Sequence, residues 1–142
     1  MEIRRATADD EAVMRSLWDE FTAEATYTPY PGSPFSASLV ADHLAFLAED
    51  AGTPAGCVYA ATPSEHFGFV FGLYVRPPAR RRGLARRLMR TVGEALRAEG
   101  RRYVLLSVDT PNAAAQALYD NLGFTESART LRADIDELLK GR

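Results

Sequence analysis

One cysteine, Cys57, stands in a chain of 142 residues, which excludes an internal disulfide and a cysteine-based zinc cluster. No metal site is expected. No apolar run approaches the ~20 residues that a membrane-spanning helix needs. The opening Met1-Glu2-Ile3-Arg4-Arg5 has no apolar stretch of the kind that directs secretion. A Gly-Lys-Ser/Thr ending and a Gly-x-Gly-x-x-Gly run are both missing, which removes the Walker loop and the dinucleotide fingerprint. These absences predict a cytoplasmic protein in a reducing setting, with no membrane partner.

The composition is that of one globular domain, 46% hydrophobic and 25% charged, and a chain of this length buries a core without staples. The net charge of −2 hides a division, with three Arg and 11 acidic residues in 1–65 and 14 basic and eight acidic residues in 66–142. A basic half suits a polyanionic ligand, and an acidic half a cationic one. The arginines crowd at Arg76, Arg80, Arg81, Arg82, Arg86, Arg87 and Arg90. They lack interleaved aromatics and the whole chain is acidic, so no nucleic-acid partner is expected.

Met1–Ala6 predicts a first strand. Thr7 or Asp9 can cap a helix carrying Val13, Leu17, Trp18 and Phe21 at helical spacing to about Ala25. Tyr27–Phe35 holds three prolines and a glycine and breaks the pattern. Ser36 to about His43 suits a second short helix. Ala45–Asp50 has apolar spacing that would continue the helix, but the turn at Asp50–Pro54 favours a strand there; Gly56–Thr62 is an expected strand, and Phe67–Arg76 is a long apolar strand stopped by Pro77-Pro78. Leu84, Leu88, Val92 and Leu96 form one helical stripe ended by Gly100. Tyr103–Val108 is expected to be a buried strand. Pro111 can open a helix that ends at Gly123, and Phe124–Ser127 is expected to begin a last strand. Leu131, Ile135, Leu138 and Leu139 suit a helix, with a closing strand as the alternative. The fold class is mixed α/β, with central antiparallel strands and a parallel pair at one end.

The segment Arg80-Arg81-Arg82-Gly83-Leu84-Ala85 sits between a strand and a helix. A helix start offers unpaired N–H groups and partial positive charge, so phosphates bind there readily. Gly83 admits an oxygen close to the backbone, and Ala85 keeps that approach open. Arg80-x-x-Gly83-x-Ala85 resembles the Q/R-x-x-G-x-G/A signature of the GNAT N-acetyltransferase superfamily. Asn112, Ala115, Tyr119 and Gly123-Phe124 resemble the partner segment N-x-x-A-x-x-x-Y-x-x-x-G-F. The order of elements also fits, over nearly the whole chain.

The resemblance implies a GNAT-like sheet with about four flanking helices and a splayed parallel pair at the cofactor. It implies acetyl-CoA as co-substrate and direct acetyl transfer to a primary amine, from a small molecule or a peptide. A non-catalytic acyl-CoA-binding module is the alternative, and a homodimer fits because dimers are common among relatives. The implied cofactor contacts are the backbone of Leu73, Tyr74 and Val75, then Arg80, Arg81, Arg82, Gly83, Leu84, Ala85 and Arg86, with Asn112 on the CoA arm. A free N–H near Leu73 would polarise the thioester carbonyl, and Tyr119 would protonate the leaving thiolate. Gly68 and Gly72 suggest a bulge in the strand, or relief of crowding beneath a helix. Where some relatives place a basic glutamate this chain has Phe69, so Glu65 is the nearest carboxylate, beside His66, and Ser107 could orient a water. The acceptor site is expected at Tyr27, Tyr30 and Phe35, with Glu24 and Glu20 on the preceding helix. Cys57, in an apolar strand without a neighbouring His, reads as a buried structural thiol.

Overall fold

The computed structural model describes residues 1–24 and 33–140. Strand β1 spans Glu2–Arg5. Thr7 then caps a 3-10 turn, Ala8–Asp10, through a capping box, which satisfies helix-start donors that would otherwise be unpaired. The turn runs into helix α1, Glu11–Glu24. Asp10 accepts both Arg4 Nη1 and Nη2 at 2.8 Å and the Thr7 N–H at 2.9 Å. The Arg4 guanidinium pulls the Asp10 carboxyl down to about 2, so this corner between β1 and α1 stays charged across the working pH range.

A short helix α2, Ser38–Ala41, leads to β2, Leu44–Asp50, and β3, Thr53–Ala61. Their connection places Ala51 at φ 51° and Gly52 at φ 84°. Two consecutive left-handed residues match the right-handed twist of a hairpin. Strand β4, Phe67–Val75, is followed by helix α3, Leu84–Ala98, strand β5, Tyr103–Leu106, helix α4, Ala113–Asn121, and helix α5, Ile135–Leu139. The five strands lie in sequence order, with β1 to β4 antiparallel and β4–β5 parallel. The expected mixed sheet with a parallel end pair is therefore present.

Helix α3 buries Leu84, Leu88, Val92 and Leu96 against one face of the sheet, and exposes Arg86, Arg87, Arg90 and Arg97 on its other side. The stripe reflects helical periodicity alone. Helix α1 covers the opposite face with Met14, Leu17 and Trp18. Strand β4 serves both cores, and a bulge changes which residues serve which. Cys57 pairs with Tyr74 but Tyr59 pairs with Phe71, so β4 holds one more residue than β3 at Gly72-Leu73. Before the bulge, Val70 faces α3 and Phe71 faces α1; after it, Leu73 and Val75 face α3 and Tyr74 faces α1. One inserted residue inverts the alternation of a strand.

The two glycines of β4 have different causes. Gly72 sits at φ +64° in the bulge, and a side chain there would press on Trp18 and Tyr59. Gly68 lies under α3, where a Cβ would enter the Leu96 side chain. Gly68→Ala is expected to lower stability by about 1–3 kcal/mol through overpacking. The check is a lower denaturation midpoint at unchanged slope; an unchanged midpoint would show that Leu96 moves aside freely.

Three sequence expectations are corrected beyond β4. Strand β5 ends at Leu106, and its residues alternate between exposed and half-buried. Val104 and Leu106 pack on the α3-side core, whereas Tyr103 and Leu105 point to the other face, where the α1-side core includes no residue of β5. Helix α4 starts at Ala113 with Asn112 as its cap, so Pro111 precedes the cap. The Asn112 Oδ1 takes the Ala115 N–H at 3.1 Å, a bond proline cannot supply. Phe124–Ser127 forms no strand. Phe124 is the only apolar residue of the four, and it packs on Tyr119 with ring centroids 5.6 Å apart, which leaves no second side chain to bury on a sheet. The C-terminal ambiguity resolves as helix, in α5.

Candidate functional site

Pairing between β4 and β5 runs from Phe67↔Tyr103 to Val70↔Leu106 and stops there, while β4 continues to Val75. From Phe71 onward β4 has β3 on one side and, among the described residues, no strand partner on the other. The strands part at the bulge, and the backbone edge of Leu73, Tyr74 and Val75 borders the gap. An edge of this kind accepts an extended ligand as if it were another strand. Leu73 and Val75 face α3 and are only partly buried.

At the end of β4 the chain turns through Pro77–Ala79 into the arginine segment. Arg81 takes φ 63° and Gly83 φ 75°, and Gly83 is the cap of α3. The first helical bond runs from the Arg87 N–H to the Gly83 carbonyl at 3.1 Å. The N–H groups of Leu84, Ala85 and Arg86 therefore precede the bonded ladder. A Cβ built on Gly83 meets nothing within 4 Å. The mouth of this helix is open, as a phosphate cradle requires.

The arginines around it divide into two groups. Arg80 is engaged: its Nε donates to the Val75 carbonyl and its Nη2 to the Glu24 carboxylate, each at 2.8 Å. Arg82 pairs with Asp50 at 2.9 Å, and Arg76 pairs with Glu20 at 2.6 Å. Arg81 and Arg86 are exposed, with no hydrogen bond or ion pair among the described residues. They are the cations with nothing to give up to a phosphate. Exposed pairs of the Arg80–Glu24 kind are worth ~1 kcal/mol or less, so Arg80 and Arg82 can also exchange partners.

Glu20 and Glu24, expected on the acceptor side, are tied to this cluster. The Tyr74 hydroxyl donates to Glu20 at 3.1 Å. Hydrogen bonds from Arg76 and Arg80 hold the Glu20 and Glu24 carboxyls below their ordinary values. Phe35 is 7% exposed, with the Arg15 guanidinium over its ring, and packs with the α1 core. Its ring is taken up by the core and Arg15 and is not free. Tyr27 and Tyr30 lie outside the described residues.

Tyr119 stands on α4, which grows from the end of β5 that has left β4. Its ring packs against the α3-side core together with Leu73, Val75 and Phe124. Burial raises its phenol above the ordinary value, so it carries its proton at neutral pH. Asn112 is occupied through Oδ1 by its capping bond. Glu65 and His66 are exposed in the turn before β4. From Phe67 to Leu73 is about 20 Å at ~3.3 Å per residue, so neither reaches the gap directly. Ser107, just past β5, is exposed at the parted end.

Two features escaped sequence reading. The Cys57 Sγ donates to the Gly72 carbonyl at 3.6 Å, directly at the bulge. Tyr59 stacks on Phe71 at 5.3 Å, with its buried hydroxyl unpartnered among the described residues. Nothing in the sequence around either residue marks it. No group of His, Cys, Asp or Glu among the described residues could hold a metal, and no helix among them is long and apolar enough to cross a membrane.

The pattern of the acetyltransferase (GNAT) family matches residues 11–124. A search of curated proteins finds no match. Among solved structures, a GCN5-related N-acetyltransferase from Ralstonia eutropha JMP134 superposes with TM-score 0.71 at 17% identity, covering 94% of this chain and 98% of the other. The aminoglycoside N-acetyltransferase AAC(6')-Iy, in complex with the bisubstrate analogue CoA-S-monomethyl-acetylneamine, gives 0.76 at 23% identity, covering 94% and 96%. An acetyltransferase from Clostridium acetobutylicum with acetyl-CoA gives 0.76 at 14% identity, covering 96% and 97%. At these identities the structural likeness carries the fold, and the sequence pattern carries the kinship. With the matched pattern spanning the parted strands, the open helix mouth and Tyr119, the chain belongs to the acetyltransferase (GNAT) family.

Proposed function

We propose that this protein transfers the acetyl group of acetyl-CoA directly to a primary amine within a ternary complex. The observation that carries the reading is the continuity of two features, the unpaired edge of β4 and the open Gly83 helix start at its end. The pyrophosphate sits on the N–H groups of Leu84, Ala85 and Arg86, flanked by Arg80, Arg81 and Arg82. The pantetheine arm lies along Leu73, Tyr74 and Val75, with Asn112 across the gap. The neutral amine attacks the thioester carbonyl and forms the C–N bond while the Leu73 N–H holds the oxyanion. The C–S bond then breaks, and Tyr119 gives its proton to the departing thiolate. The nitrogen's surplus proton leaves through water held near Ser107 and regenerates the phenol. Glu65 takes part only as the far end of such a water chain.

For the acceptor we propose a small cationic amine, bound where Glu24 leads into Tyr27 and Tyr30. The aminoglycoside enzyme among the structural neighbours supports this class. Glu24→Ala and Tyr30→Ala are each expected to raise KM for the amine about 10-fold, the effect of one lost charge-assisted or stacking contact. Acetyl-CoA affinity should hold, or tighten in Glu24→Ala as Arg80 is released. If both variants lose stability and keep normal amine kinetics, the loop is structural.

One observation favours the alternative of a non-catalytic acyl-CoA-binding module. β4 carries no carboxylate, and the nearby Glu20 and Glu24 are held in ion pairs. A thermal shift with acetyl-CoA, followed by free-thiol release over a panel of amines, separates the two readings. Stabilisation without thiol release from any amine would leave the binding module.

A further inference from the structure

Cys57 lies on β3, wholly buried, and its side chain is turned to the α1 face beneath the bulge of β4. Its thiol donates to the Gly72 carbonyl at 3.6 Å. Burial pushes that thiol up to about 12, so the proton stays on sulfur at any working pH. The carbonyl it meets belongs to the peptide unit that also carries the Leu73 N–H. No peptide bond among the described residues is cis. In a trans unit the C=O and N–H point in opposite directions. With the Gly72 carbonyl aimed at Cys57, the Leu73 N–H points away from Cys57 and its strand, on the side where β4 has no partner.

This peptide unit needs such an anchor. It lies within the inserted step of the bulge, where the regular ladder is interrupted. Gly72 is left-handed and has no side chain to limit rotation. The rings of Trp18 and Tyr59 close over Gly72, but ring contacts do not set the direction of a carbonyl. The thiol is a polar group that the structure places on it.

We infer that Cys57 is a positioning residue for catalysis: its S–H···O=C contact fixes the Gly72–Leu73 peptide so that the Leu73 N–H faces the thioester carbonyl. The inference rests on the acetyl-transfer reading, in which that N–H is the oxyanion donor. A hydrogen bond accepted at the carbonyl also polarises the N–H of the same unit, strengthening its donation by ~10–30%. The effect falls on the transition state, where charge gathers on the oxygen, and hardly on ground-state binding.

The test compares Cys57→Ala, which removes the donor, with Cys57→Ser, which keeps one. Each variant is measured for kcat, for acetyl-CoA affinity, and for the infrared carbonyl band of bound acetyl-CoA labelled with carbon-13 at the carbonyl. In the unaltered protein the bound band should lie below that of free acetyl-CoA. In Cys57→Ala the band should return toward the free position, and kcat should fall about 5- to 10-fold at unchanged affinity. That loss is smaller than the ~10²–10³ expected for deleting an oxyanion donor outright. Cys57→Ser should recover most of both. If the band stays shifted and kcat holds in Cys57→Ala, or if Ala and Ser lose equal activity, Cys57 only fills space and the inference is overturned. A bound band at the free position in the unaltered protein removes the oxyanion reading itself, and the role of Cys57 falls with it.

Discussion

Gly83→Glu is expected to abolish acetyl-CoA binding while leaving the protein folded. Gly83 caps α3 at φ 75° with open space around it, so a side chain enters solvent and strikes no neighbour. The fold then loses only the strain of a left-handed non-glycine residue, ~1–2 kcal/mol. The ligand loses far more. The carboxylate occupies the place of the pyrophosphate, repels its charge, and blocks the Leu84, Ala85 and Arg86 N–H groups. Affinity should fall by at least about 10³-fold, read by calorimetry or by loss of the thermal shift. Gly83→Ala serves as the control, since it imposes the same strain without the charge and should bind with a much smaller loss. A folded Gly83→Glu protein with normal affinity would mean that the pyrophosphate sits elsewhere.

Tyr119→Phe should lower kcat about 10²-fold with acetyl-CoA affinity unchanged, the signature of a lost proton donor. The ring contact with Phe124 and the packing on the α3-side core survive the substitution, so stability should hold. The phenol is raised by burial, which keeps it protonated at neutral pH. It can therefore give a proton to a thiolate formed beside it without first having to gain one. The loss should be smallest for an acyl donor with a more acidic thiol, whose thiolate leaves without help. Full activity with acetyl-CoA would reduce Tyr119 to a packing residue between α4 and the sheet.

The ion pairs beside the Arg80–Ala85 segment bear on both experiments. Glu20 and Glu24 lie one helical turn apart on α1, and they meet Arg76 and Arg80 from the two ends of the Pro77–Ala79 turn. This ties the Arg76–Arg80 segment to helix α1. Part of the charge division seen in the sequence is thus spent within the protein. The acidic half neutralises Arg76, Arg80 and Arg82, while Arg81 and Arg86 have no ion pair among the described residues.

The sequence by itself determined what depends on neighbours along the chain. The stripe from Leu84 to Leu96 set helix α3 and its buried face, because one period of backbone geometry decides which side chains share a side. Asp50–Pro54 set the hairpin turn, because its glycine and proline break strand pattern there, although Ala51 in the left-handed region is not a choice its own side chain favours. Gly83 before Leu84 marked where α3 begins, and the structure has Gly83 as its left-handed cap. Tertiary structure alone decided the rest. Glycine in β4 suggested either a bulge or crowding, and only the pairing with β3 and the packing of Leu96 assigned one cause to Gly72 and the other to Gly68. Glu24 meets Arg80 across 56 positions of sequence, and no local pattern records such a partner. Phe124 met the sequence signal for a strand, but the single ring it could bury went to Tyr119. Cys57 read as an inert buried thiol, and acquired a direction only when the bulge brought the Gly72 carbonyl to it. A chain fixes its local geometry residue by residue, whereas a contact such as that of the Cys57 thiol with the Gly72 carbonyl depends on what the opposite strand places beside it.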